Sequence, residues 1–126
     1  MPTNANITIR EVDGHDYISV ISVSGELDES NLNELENGLS SVILDLNKTI
    51  VIFDLSDLIF MSSKIIGYLA SLYSTLNHSN RKMILASYNE NISDILKLVG
   101  LDKLIPSYLD LNDALEDSLN SLTNNS

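Results

Sequence analysis

Thr49-Ile50-Val51-Ile52-Phe53-Asp54-Leu55-Ser56-Asp57-Leu58-Ile59-Phe60-Met61-Ser62-Ser63-Lys64-Ile65-Ile66-Gly67-Tyr68-Leu69 reads as a strand, a turn and the opening of a helix. Residues 49–53 form an unbroken β-branched and aromatic run. Unbroken rather than alternating apolar character predicts a central strand covered on both faces. From Ile65 onward, Ile66, Leu69, Leu72, Tyr73 and Leu76 fall at helical spacing, which predicts a helix ending near residues 78–80. The turn between carries Ser62 and Ser63, and one of them must open the helix. A hydroxyl there faces unpaired backbone N–H groups and the positive end of the helix dipole. It can cap the helix, and a phosphate there would be stabilised.

Working outward, Ile7, Ile9 and Glu11-Val12 alternate as an edge strand does, and Asp13-Gly14 signals a tight turn. Residues 17–23 alternate again, with Ile18, Val20 and Ile21 competing for the core face. Ser24-Gly25-Glu26-Leu27-Asp28 is expected to break that strand. Leu32, Leu35, Leu39, Val42, Ile43 and Leu46 then share one side of a helix. Asn31 and Glu34 resemble a capping box, and Gly38 costs that helix about 1 kcal/mol relative to Ala while allowing close packing. Residues 82–86 predict the next strand. Asn91 or Ser93 opens a short helix that turns Ile92, Ile95, Leu96 and Val99 inward and stops at Gly100. Ile105-Pro106-Ser107-Tyr108 suits an edge strand. Asp110 caps a last helix with Leu111, Ala114 or Leu115, Leu119 and Leu122 on one face, and residues 123–126 are expected to fray. The order ββα, βα, βα, βα predicts an α/β fold: a small, mostly parallel sheet with an N-terminal antiparallel hairpin and about four helices packed on it.

The 126 residues suffice for one domain, expected over residues 1–126 with an ordered core at about 7–122. No apolar run reaches the roughly 18 residues of a membrane span, and the N-terminus lacks a signal-peptide pattern. The absence of cysteine excludes disulfides and thiolate chemistry and makes the cytoplasm the expected compartment. A net charge of −11 disfavours nucleic acid and anionic membranes and favours a protein partner with a basic face.

In this context five short stretches carry a resemblance. Ser24-Gly25-Glu26-Leu27-Asp28, Val51-Ile52-Phe53-Asp54-Leu55-Ser56, Phe60-Met61-Ser62-Ser63 with Gly67 and Leu69, residues 95–101, and Ala114-Leu115 occur in order at the right spacings. Together they resemble a STAS domain of the anti-sigma-factor-antagonist (anti-anti-sigma factor) family, over roughly residues 7–119. The resemblance implies a partner-switching regulator of transcription and not an enzyme. Such a protein binds a serine-kinase anti-sigma factor and is released when that kinase phosphorylates it. A PP2C-type phosphatase reverses the mark. The implied phosphorylation site is Ser63, with Ser62 the second choice. The implied partner surface is Asp28, Phe60, Met61, Ser62, Ser63, Lys64 and Gly67. If exposed, the Phe60 and Met61 side chains would form an apolar docking patch beside Ser63. A second reading from the same family is a non-phosphorylated scaffold or transport-accessory module that docks constitutively.

Three residues depart from the family pattern: Ser62 stands where Asp is common, and Lys64-Ile65 where a small residue and Gly are common. Lys64 brings a positive charge within reach of a phosphate, and Ile65 stiffens the turn. Other chemistries find little support. Of the histidines, His78 at a helix end lies about 15 residues, roughly 22 Å, along the helix from Ser63, and the sequence does not place His15 of the hairpin turn relative to it. Asp54, Asp57, Glu26 and Asp28 read as turn and capping acids, so no metal is expected. Glycine-rich phosphate loops are absent, so no cofactor is expected.

Overall fold

In chain order the elements are β1 (Ala5–Val12), β2 (His15–Leu27), α1 (Leu32–Leu44), β3 (Ile50–Asp54), β4 (Leu58–Met61), α2 (Ser63–His78), β5 (Lys82–Ala86), α3 (Glu90–Val99), α4 (Leu101–Leu104), β6 (Ser107–Tyr108) and α5 (Leu111–Asn124). The structure, a computed structural model, describes residues 5–124, with side chains described for residues 5–120. The expected inward face of Leu122 and the fraying of residues 123–126 lie outside the described side chains.

The sheet runs β1-β2-β3-β5-β6, with β4 paired to β2 off this path. β1 and β2 are antiparallel and the other pairs are parallel. β3 is central and apolar from Ile50 to Phe53, as its unbroken run demands. Val51 and Phe53 enter the core beneath α1, α2 and α3, while Ile50 and Ile52 join Ile18, Val20, Ile84, Ala86 and Ala114 beneath α5. Each strand residue therefore meets a helix layer on one face or the other. The expected hairpin and helices are α1, α2, α3 and α5; α4 is one extra turn after Gly100, whose φ of 81° ends α3.

Four local expectations need correction. The 24–28 stretch does not break β2; the strand bends at Gly25 (φ 89°) and continues to Leu27. Leu46 falls beyond the end of α1 and is 69% exposed. Asn31 sits at the start of α1, and its carbonyl accepts from Leu35 N–H (3.1 Å), but its side chain makes no cap bond. Its amide ties the preceding turn instead, donating to Glu26 O (2.8 Å) and accepting from Asp28 N–H (2.9 Å). α3 opens two to four residues early, at Asn89, whose side chain accepts from Ile92 N–H (2.9 Å), and Val99 turns outward. An Asn in extended conformation before Glu90 serves better than Asn91 or Ser93, both of which lie inside the first turn.

α1 has no basic residue in its last turn. A distant one supplies the cation. Arg81, 4% exposed, donates from Nη2 to Val42 O (2.6 Å), from Nη1 to Ile43 O (2.7 Å) and from Nε to Lys48 O (2.8 Å). It thereby pins the end of α1 to the α2–β5 turn and adds donors to the last carbonyls of the helix. Arg81→Ala should lower the unfolding free energy by about 3 kcal/mol, and an unchanged urea midpoint would contradict this role. Gly38 in α1 has the opposite sign. A Cβ there would meet only Ile7, at 3.6 Å. Gly38→Ala should therefore raise stability by about 1 kcal/mol, read from the same urea transition.

Candidate functional site

The start of α2 is held by a strand, β4, where the sequence predicts a turn. Past Ser22, β2 leaves β3 and pairs with β4 through Gly25↔Leu58, Glu26↔Phe60 and Leu27↔Met61. The register skips Ile59, a bulge that sets two residues against one. Alternation fails there, so Ile59 (59% exposed) and Phe60 (44%) both face solvent while Leu58 and Met61 are buried. Asn89 secures the strand from α3, donating from Nδ2 to Leu58 O (2.9 Å).

Met61 is thus not part of an exposed patch. Its side chain is 1% exposed and fills the main core. Ile59 takes its place beside Phe60. The unbroken run Leu58-Ile59-Phe60-Met61 was the available signal for this strand.

Ser62 follows β4 and caps α2 in extended conformation (φ −81°, ψ 170°). Its N–H donates to Leu27 O (3.0 Å), and its carbonyl accepts the first helical bond from Ile66 N–H (3.1 Å). Its Oγ is enclosed, makes no cap bond and has no hydrogen-bond partner. Ser63, the first helical residue, is exposed, as is Lys64. Ile65 is fully buried and anchors the first turn in the core. Ser63, Lys64 and Ile65 precede the first i→i−4 bond, so their N–H groups carry the positive end of the helix dipole. No acidic residue stands in this turn, and Lys64 adds a cation. Gly67, four residues on and so on the same face as Ser63, is exposed with nothing within 4 Å of where a Cβ would stand. It leaves the surface beside Ser63 low and open.

Asp28 begins the turn that follows Leu27, the residue to which Ser62 is bound. Its Oδ1 accepts from Ser30 Oγ (2.5 Å) and Ser30 N–H (2.9 Å). These bonds, the hydroxyl first, hold the carboxyl below its ordinary pKa of 3.8. Asp28, Phe60, Ser62, Ser63, Lys64 and Gly67 therefore lie at one end of the sheet, with Met61 beneath them. Neither histidine joins them. His15 lies at the hairpin end of β2 beside Tyr17, and His78 at the far end of α2, bonded to Ser74 O (2.8 Å). Asp54 accepts from Ser56 N–H (3.2 Å), a turn role.

The residues at 6–114 match the family model described as the STAS domain. The chain belongs to the STAS-domain family. Among its relatives, the anti-sigma-F factor antagonist RsfB of Mycobacterium tuberculosis is 31% identical over 114 residues, covering 90% of this chain and 89% of the relative. A crystal structure of an anti-sigma factor antagonist from Mycobacterium paratuberculosis superimposes with a TM-score of 0.78 at 30% identity, covering 89% of this chain and 92% of the other. The Bacillus cell fate determinant SpoIIAA in its phosphorylated form shares the fold at 19% identity, with a TM-score of 0.67 and 90% and 99% coverage.

In this STAS domain the Asp28 turn can be tested alone. A depressed carboxyl pKa contributes stability above the unfolded value, and that contribution is lost as pH falls through the folded value. In an NMR titration the Asp28 carboxyl should titrate below 3.8, and Ser30→Ala should move it upward. No movement would remove Ser30 as the cause.

Proposed function

We propose that this STAS domain is an anti-sigma factor antagonist that works as a phospho-switch on Ser63. In the cytoplasm it docks on a serine-kinase anti-sigma factor through the start of α2, with Phe60 and Ile59 as apolar anchors and Asp28 and Lys64 beside them. The observation that carries the choice of acceptor is the contrast between neighbours: the Ser63 side chain is exposed, whereas Ser62 Oγ is enclosed. In the transfer, Ser63 Oγ bonds to the γ-phosphorus of kinase-bound ATP. The bond to ADP breaks, and the hydroxyl proton passes to a base of the kinase. Hydrolysis by a PP2C-type phosphatase returns the serine and inorganic phosphate.

The physics of release follows from the geometry. On the free protein, a phosphate on Ser63 sits at the N–H-rich end of α2 beside Lys64, where its charge is stabilised. In a docked interface the same group, with about two negative charges, must shed water next to Phe60 and Ile59. Docking is opposed and the complex separates. The net charge of −11 supports fast encounter with a basic partner face. Similarity to the antagonist RsfB supports the class of partner.

Incubation with the cognate kinase and ATP should add one phosphate to the intact mass. Ser63→Ala should block it, and Ser62→Ala should not. Ser63→Asp should weaken partner binding by about 1–3 kcal/mol. Phosphate that persists on Ser63→Ala sinks the assignment. A partner that stays bound and never modifies the domain favours constitutive scaffold docking instead.

A further inference from the structure

A cavity of 260 Å³ lies beside β5, between α2 and α5. Tyr73 and Asn77 of α2 wall one side, and Tyr108 of β6 and Asp117 of α5 wall the other. Met83, Ile84 and Pro106 give it an apolar floor. Its polar groups are unequal. Ser118 Oγ is spent inside its own helix, donating to Ala114 O (2.8 Å). Asp117 accepts from the Tyr108 hydroxyl, and this bond, with burial, pushes that hydroxyl up to a pKa of about 12. The carboxylate on the lining is thus tied to the opposite wall. Arg81 also lines the cavity, fixed by the carbonyls of Val42, Ile43 and Lys48, with Asp45 the acid that acts on it. Lys82 is exposed at the rim, and an ammonium can donate in several directions. The lining therefore sets two cations against one engaged carboxylate, in a chain of net charge −11. Two other cavities have the reverse balance, one lined by Asp54 and Asp57, the other by Glu11, Asp13 and Asp16.

We propose that this cavity binds a small planar aromatic carboxylate, with its ring between Tyr73 and Tyr108 and its carboxylate at Lys82 and the Asn77 amide. Aromatic walls favour a flat ring through stacked or edge contacts. The volume falls just short of a drug-sized site, which suits one or two fused rings. Lys82 stands at the rim, so the carboxylate keeps part of its hydration and the cost of desolvation stays small. The last turn of α2, which holds Asn77, presents the negative end of the helix dipole. That end opposes a multiply charged phosphate and leaves a single carboxylate as the better match. The cavity is separate from the serine at the start of α2, since Asn77 lies 14 residues along the helix from Ser63, about 21 Å at helical rise. Ligand and phosphate can be carried together.

The probe is naphthoate, titrated into the full chain labelled with ¹³C at its methionine and isoleucine methyl groups. The Met83 and Ile84 methyl signals should shift and saturate with a dissociation constant of about 1 mM or tighter. The neutral isostere naphthamide should bind at the same signals about fivefold more weakly. Lys82→Met, which keeps the apolar stem, should remove the difference between acid and amide. Tyr73→Ala should weaken both ligands about tenfold. Equal binding of acid and amide to the unaltered chain would overturn the choice of an anion. A difference that survives in Lys82→Met would overturn the role of Lys82. Met83 and Ile84 signals that stay silent at about 10 mM naphthoate, or shifts centred on Ile7 and Ile9, would overturn the site.

Discussion

The hydrogen bonds between the tail of β2 and β4 position the candidate site at the start of α2 in this STAS domain. β2 serves the sheet core as far as Ser22, where β3 is its neighbour, and then changes partner. The Gly25 bend and the Ile59 bulge make that change possible. From it follow the outward aim of Ile59 and Phe60, the tether from Ser62 N–H to Leu27 O, and the closeness of the Asp28 turn to the start of α2. Without this pairing, residues 54–62 would be a loop and the two serines would have no fixed roles.

The same tether divides labour between the serines. Ser62 spends its backbone on the junction and its hydroxyl inside it, while Ser63 stands one residue further along with its side chain in solvent. Beneath them Met61 and Ile65 fill the core, so the first turn of α2 is anchored from both ends. A rigid first turn holds its free N–H groups in fixed directions, which an anion there requires. Ile65, where the family commonly has Gly, thus strengthens the platform as well as stiffening it.

Much of this was legible in the residues. The unbroken run at 49–53 told of a strand buried on both faces, and the steps from Ile65 told of α2, because periodicity reports directly on burial. Harder to read were contacts made at a distance. Nothing local in Leu58-Ile59-Phe60-Met61 says that β2 extends far enough to pair with it, and a bulge hides alternation by design. Asn31 looked like a helix cap, yet its amide found better partners in Glu26 O and Asp28 N–H. Arg81 gave no sign of its role, since its carbonyl partners lie more than thirty residues upstream.

The central claim is that Ser62 is locked into the β2–β4 junction while Ser63 opens a free helix end. Amide hydrogen exchange across residues 60–66 tests it most directly. The Ser62 N–H, held by Leu27 O, should be protected, Ser63 and Lys64 should exchange fast, and protection should return from Ile66. Fast exchange at Ser62, with no step between it and Ser63, would contradict it.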